Sequence, residues 1–139
     1  MNLKILTVLV CGGAALAGCV SQFEVTRETA SSKSVEELCK AITAGAYNPS
    51  IADSGKIALG ELYERKVFTN AEMLKIARLE AAPGMSEKAG LCAWGYYWYD
   101  VNTTITARGT KKQYVFGDGK YTSRKFLYSE NGRVTAVQE

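Results

Sequence analysis

The chain has 139 residues, 47% of them apolar, with 17 basic and 14 acidic side chains, a net charge of +3 and no histidine. The missing imidazole removes the usual general base near neutral pH and the commonest metal ligand. The charge excess is too small to mark a nucleic-acid binder, and the sequence holds no cofactor motif and no metal-ligand spacing.

Met1-Asn2-Leu3-Lys4 opens a short apolar segment that runs from Ile5 to Val10 and through small residues to Leu16-Ala17-Gly18-Cys19. One positive charge, an apolar stretch too short to span a bilayer, and small residues ahead of a cut make a secretory signal. The cysteine adds a meaning. The segment resembles the lipobox of bacterial lipoproteins, in which residues 1–18 would be removed and Cys19 would carry the lipid, palmitate included. The competing readings are an ordinary secretory signal or a core helix. Val20 stands where an aspartate would signal inner-membrane retention, which favours the periplasmic leaflet of the outer membrane. Removing 18 of the 139 residues leaves 121, enough for one domain with a core and too few for two.

Cys11 leaves with the signal and Cys19 takes the lipid, so Cys39 and Cys92 remain. In an oxidising compartment they are candidates for a disulfide, which would stabilise the fold by about 4 kcal/mol in the chain-entropy model. The alternative is two buried thiols behaving as small hydrophobes. Residues 19–33 are polar, lack a period and follow the anchor directly. They read as a flexible tether, with Phe23 and Val25 as the residues able to dock.

Helical signals fill 34–94. Ser34 to Glu37 is a capping box, and Gly45 is the natural stop of the helix it opens. Asn48-Pro49-Ser50 starts a second helix with Ser50 as its cap, carrying Ile57, Leu59, Leu62 and Tyr63; Gly55 and Gly60 weaken it. Thr69 to Glu72 is another capping box, with Phe68 and Met73 as its hydrophobic staple. Ser86 caps a short fourth helix, with Glu87 placed near the positive end of its dipole.

After Gly95 the pattern alternates. Tyr96 to Thr106, Gln113 to Phe116, Tyr121 to Ser129 and Arg133 to Val137 read as strands. The turns between them fall at Gly109-Thr110, Gly117-Asp118-Gly119 and Asn131-Gly132. Helices first and a β-meander over 96–139 imply an α+β fold, a single domain over 34–139 with its short helices packed on one face of a four-stranded antiparallel sheet.

Several segments carry a resemblance. Gly84-Met85-Ser86-Glu87, Cys92-Ala93-Trp94-Gly95, Val101-Asn102-Thr103-Thr104, Gln113-Tyr114-Val115-Phe116-Gly117 and Tyr128 to Val134 are similar to small bacterial envelope lipoproteins of the SmpA/OmlA-like group. That group shares the fold of β-lactamase-inhibitor-protein repeats. The resemblance covers roughly 84–139 and implies a role in outer-membrane assembly or maintenance. Its motif residues are structural, so it assigns no catalytic residue. A proline that the group places soon after the Gly is here replaced by Tyr96-Tyr97-Trp98-Tyr99.

Paired acids and a Ser–Lys dyad are the remaining routes to catalysis. Glu36 and Glu37 fit a capping box, and Glu61 and Glu64 fit a solvated helix face, better than an acid/base pair. Gly117-Asp118-Gly119-Lys120 lacks the spacing of a phosphate loop. The aromatic run is the best binding candidate. Alternation puts Tyr96, Trp98 and Asp100 on one face of a strand and Tyr97, Tyr99 and Val101 on the other. One set would meet the helices, and the other would lie on an open sheet face with Tyr114 or Phe116 and basic neighbours such as Arg124. Residues 102–139 hold seven basic and three acidic side chains, suited to a solvated sheet, anionic headgroups or an acidic partner.

The expectation is therefore a lipid-anchored, non-catalytic envelope protein, without cofactor, metal or nucleic acid, bound to the membrane through its lipid and recognising an envelope protein through Tyr97, Trp98, Tyr99, Tyr114, Phe116 and Arg124. The alternatives are an inhibitor of a periplasmic or exogenous enzyme and an exclusion lipoprotein of a mobile element.

Overall fold

The computed structural model describes residues 23–139; the signal-like segment and Cys19 lie outside the described residues. Five helices precede four strands: α1 Arg27–Ala30, α2 Val35–Tyr47, a 3₁₀ turn at Pro49–Ile51, α3 Ala52–Arg65, α4 Asn70–Ala77, α5 Glu87–Ala93, then β1 Trp98–Thr106, β2 Gly109–Phe116, β3 Lys125–Glu130 and β4 Arg133–Gln138. The strands form one antiparallel sheet in the order β1-β2-β3-β4, so the fold is α+β with a meander.

The helix starts follow from local chemistry. The Ser34 and Thr69 hydroxyls accept from the Glu37 and Glu72 amides while each glutamate reaches back to its cap, satisfying first-turn donors that water would otherwise have to meet. Ser86 caps α5 by accepting from the Ala89 amide. Asn48, and not Ser50, caps the 3₁₀ turn, its Oδ1 accepting from both the amide and the hydroxyl of Ser50.

Gly45 does not stop α2. The helix continues to Tyr47, and Gly45 is buried at the crossing with α3. A Cβ built on it would lie 3.0 Å from the Gly55 Cα and 3.0 Å from the Ile51 carbonyl oxygen. Gly45 and Gly55 therefore let two backbones approach more closely than side chains would permit.

Residues 23–33 are not a free tether. Val25 and Ala30 are buried in the core, α1 is capped by Thr26, and Arg65 holds the segment from α3. Its guanidinium donates to the carbonyls of Ala30, Ser31 and Lys33 at 2.8 to 3.0 Å, while its Nε donates to Glu61 at 2.7 Å. Five planar donors in one rigid fork make this clamp possible.

One core cluster joins the layers. Leu38, Cys39, Leu62, Ile76, Ala89 and Cys92 meet Tyr114, Phe116, Leu127 and Val134 of the sheet. α5 is the helix laid on that sheet face. Gly90 faces the side chains of Val134 and Leu127, and Glu87 reaches across to β2 and β3. Cys39 and Cys92 form a disulfide with a Cα separation of 5.0 Å, tying α2 to α5.

The strand limits differ from the sequence pattern at three places. Tyr96 is not strand: with Gly95 it adopts a left-handed turn, φ +74° and +58°, and its amide donates to the Leu91 carbonyl at 2.9 Å. A Cβ at Gly95 would meet the Thr43 hydroxyl at 2.6 Å. The first hairpin closes earlier than Gly109-Thr110, with Thr106 opposite Gly109 and Ala107-Arg108 between them. β3 begins at Lys125 and not at Tyr121, because the Asp118 carboxylate gathers the amides of Lys120, Tyr121 and Thr122 into a loop.

Candidate functional site

The aromatic run is divided by a β-bulge. Trp98 stands opposite Phe116 but Asp100 stands opposite Val115, so Tyr99 is the extra residue. Trp98 and Val101 consequently share the face of Phe116 and Tyr114, while Asp100 lies on the face of Val115. Simple alternation fails here because it has no place for the inserted residue.

Tyr114 and Phe116 are therefore corrected from open-face candidates to core residues; each is about 95% buried. Trp98 packs edge-on against Tyr114 at 5.5 Å and lies tilted against Tyr96 at 5.6 Å. Tyr99 is exposed at the bulge and Tyr97 is exposed just before the strand. Arg124 is exposed in the 117–124 loop, its guanidinium over Gly119. The six candidates thus do not form one patch.

What the structure does bring together is a cleft of about 240 Å³ at the end of α2, floored by Ala93, Trp94 and Phe116 and rimmed by Tyr47, Tyr97 and Lys125. Trp94 meets Phe116 edge to face at 5.0 Å, and the Lys125 ammonium lies 5.5 Å from the Trp94 ring centroid while also pairing with Glu139 at 3.4 Å. Tyr47 is exposed at the rim. Partial burial pushes the Tyr97 hydroxyl above the usual tyrosine range, and like any tyrosine it is a neutral donor and acceptor at physiological pH. The Phe23 ring stands edge-on to Tyr97 at 6.0 Å. Flat amphipathic rings beside a cation suit protein recognition, since they bury large area at small conformational cost.

Sequence reasoning missed Tyr47 and Glu87. Tyr47 was hidden by the expected stop at Gly45; an aromatic directly before Asn-Pro is the signal that marks it as the exposed end of a helix. Glu87 is more than a dipole partner. Its carboxylate accepts from Lys112 at 2.8 Å, from the Tyr114 hydroxyl at 2.7 Å and from the Ser129 hydroxyl, joining α5 to β2 and β3. Burial alone would raise its pKa, yet these hydrogen bonds and the Lys112 charge hold it below the usual glutamate range. The Glu87 hydrogen bond in turn raises the Lys112 ammonium.

A broader groove of about 800 Å³ lies between α4 and the 83–86 segment. Its central carboxylate, Glu72, is committed to structure: it accepts from the amides of Ser86 at 2.7 Å and Thr69 at 3.0 Å, so it links the starts of α4 and α5. Desolvation opposes ionisation of Glu72, but those amides outweigh it and its pKa is lowered. Glu61 is taken by Arg65 and Glu36 by Lys40 at 2.6 Å. Among the described residues, no three His, Cys, Asp or Glu side chains gather to hold a metal ion, and no helix is long and apolar enough to cross a membrane. No protein-family model, curated protein or solved structure matches the chain.

Proposed function

We propose that this chain is a bacterial envelope lipoprotein, acylated at Cys19, that works by holding a partner protein on the tyrosine-rimmed cleft and not by catalysing a reaction. One observation carries the reading. Phe23, four residues after Cys19, lies against Tyr97 on the edge of the cleft. Four residues reach at most about 14 Å, so an anchor at Cys19 and the cleft belong to the same end of the molecule. The domain would sit close to the headgroups, with its recognition surface beside the membrane.

Two further features support the proposal. The Cys39–Cys92 bridge fits an oxidising compartment and leaves Cys19 free for acylation. The carboxylates with hydrogen-bonded, lowered pKa values at Glu72 and Glu87 serve helix starts and sheet contacts, which is the work of a scaffold. Within the envelope, a role in outer-membrane assembly or maintenance leads, on the resemblance of 84–139.

The test uses the full chain in a bacterial host. Labelling with a fatty-acid probe should mark the parent and lose its signal in Cys19→Ser; an unlabelled parent overturns the lipoprotein reading. A photocrosslinker at Tyr97 or Tyr47 should capture one protein, and Tyr97→Ser with Tyr47→Ser should abolish that capture in a separately replaced crosslinking position at Lys125. Absence of any captured protein at these three positions overturns the binding reading. Capture of an enzyme whose activity falls on mixing would identify inhibition as the role.

A further inference from the structure

β1 ends the sheet with an edge that no described part of the chain covers. In an antiparallel ladder, residues alternate between those whose amide and carbonyl face the neighbouring strand and those that face away. Thr110 sets the phase. Its carbonyl accepts from the Asn131 amide at 2.9 Å and its amide donates to the Asn131 Oδ1 at 3.0 Å, so both groups face β3. Ile105, opposite Thr110, therefore turns its own amide and carbonyl to the open edge, and Thr103 and Val101 follow in the same phase. The Val101 amide is met by the Asp100 carboxylate at 2.8 Å. The amides of Thr103 and Ile105 have no acceptor among the described residues.

The opposite edge is treated differently. Residues 84–87 close it, with Gly84 donating to the Val134 carbonyl at 2.9 Å, Val134 to the Met85 carbonyl at 2.8 Å and Glu87 to the Gly132 carbonyl at 2.8 Å. Apart from its starting bulge and the Asp100 carboxylate on the Val101 amide, β1 has none of the usual devices that blunt an edge: Val101 to Thr106 contains no proline, glycine or charge, and Ile105 is 80% exposed.

We propose that this edge pairs with β1 of a second copy, antiparallel about a two-fold axis, to make one continuous sheet across the dimer. The outward amides fix the phase of the pairing, and the flanking charges choose the register within that phase. The free amides of Thr103 and Ile105 are matched if Thr103 of one copy lies opposite Ile105 of the other, where each pair exchanges two hydrogen bonds. That register also brings Asp100 of each copy beside Arg108 in the hairpin turn of the other, pairing the two charges that flank the uncharged run. Thr104 then faces its own counterpart on the axis, a favourable threonine pair. An antiparallel two-fold pairing is the arrangement in which a strand with an acid at its start and a base past its end complements itself.

Cysteine substitution in the purified full chain tests both the pairing and the register. Thr104→Cys should crosslink to itself under mild oxidation, because opposed residues of a non-hydrogen-bonded pair lie about 4.5 Å apart at Cα, within disulfide reach. Asn102→Cys should stay at the background of the parent chain, since Thr106 and not Asn102 would face it. Light scattering should show the parent shifting to twice the monomer mass as concentration rises. Thr103→Pro should lose both the mass shift and, combined with Thr104→Cys, the crosslink; its amide has no partner in β2, so the hairpin keeps its own bonds. Ile105→Lys, at this largely exposed position, should do the same without touching the backbone. Reversing one charge with Asp100→Arg should weaken dimerisation about fivefold, and adding Arg108→Asp should restore it. A parent that stays monomeric, a Thr104→Cys chain that fails to crosslink, or dimerisation that survives both Thr103→Pro and Ile105→Lys overturns the proposal. Each of these readings is independent of acylation at Cys19 and of the cleft.

Discussion

Glu87 shows how much one side chain can hold. It begins α5, and its two oxygens accept from a lysine, a tyrosine and a serine on two strands. Replacing it by glutamine keeps the size but removes the charge, leaving the Lys112 ammonium without its counterion. We expect Glu87→Gln to cost about 2 kcal/mol near neutral pH, read by urea denaturation. The pH dependence has a definite sign. A glutamate whose folded pKa is lowered contributes its full stability above the ordinary value of 4.5, and loses it as pH falls through the lower folded value. Stability of the parent should therefore decline on acidification, and Glu87→Gln should flatten that decline. An equally steep acid limb in the variant would show that other carboxylates, Glu72 among them, carry it.

Among the elements, the N-terminal segment 23–33 departs furthest from expectation. Its composition is that of a tether, yet it is folded down because Arg65 supplies donors to three of its carbonyls and Val25 enters the core. Arg65→Ala should raise amide exchange across 25–33 about tenfold, the equivalent of ~1.4 kcal/mol, while leaving exchange in β2 and β3 unchanged. Lysine at this position should not rescue it, because a single ammonium cannot serve three carbonyls and Glu61 in the fork geometry. In the proposed lipoprotein this clamp also sets how far the domain can stand from the bilayer. Freeing residues 23–33 would lengthen the reach from about 14 Å to some 50 Å.

For the molecule as a whole, the Cys39–Cys92 bridge joins the helical layer to the helix that lies on the sheet. It encloses a loop with a sequence separation of 53, for which the chain-entropy model gives about 4 kcal/mol. Cys39→Ala with Cys92→Ala should lose about that much in chemical denaturation, a large share of the stability of a domain this size. The bridge also sets the cleft. Cys92 and Ala93 lead directly to Trp94, and Cys39 lies on the helix that carries Tyr47 to the rim. Loss of the bridge should therefore weaken the proposed partner capture at Tyr97 even where the domain remains folded.

The α+β order, the capping boxes at Ser34 and Thr69, the Ser86 cap, the Asn131-Gly132 turn and the candidate disulfide were legible in the chain, because each depends on residues close in sequence or on the simple arithmetic of two cysteines. Periodicity likewise located the four strands to within a few residues. The faces of those strands could not be read that way. A single inserted residue at Tyr99 reverses every side chain after it, and whether a bulge forms depends on how β1 fits β2 and the helices beneath. Gly45 reads as a stop in one dimension and proves a contact in three, since only the approach of α3 gives its missing side chain a use. The same holds for Glu87 and for the open edge of β1. Hydrogen-bond partners 25 to 42 residues away, and an edge of β1 that no strand among the described residues covers, are properties of the packed chain, because burial and long-range pairing exist only once the layers have met.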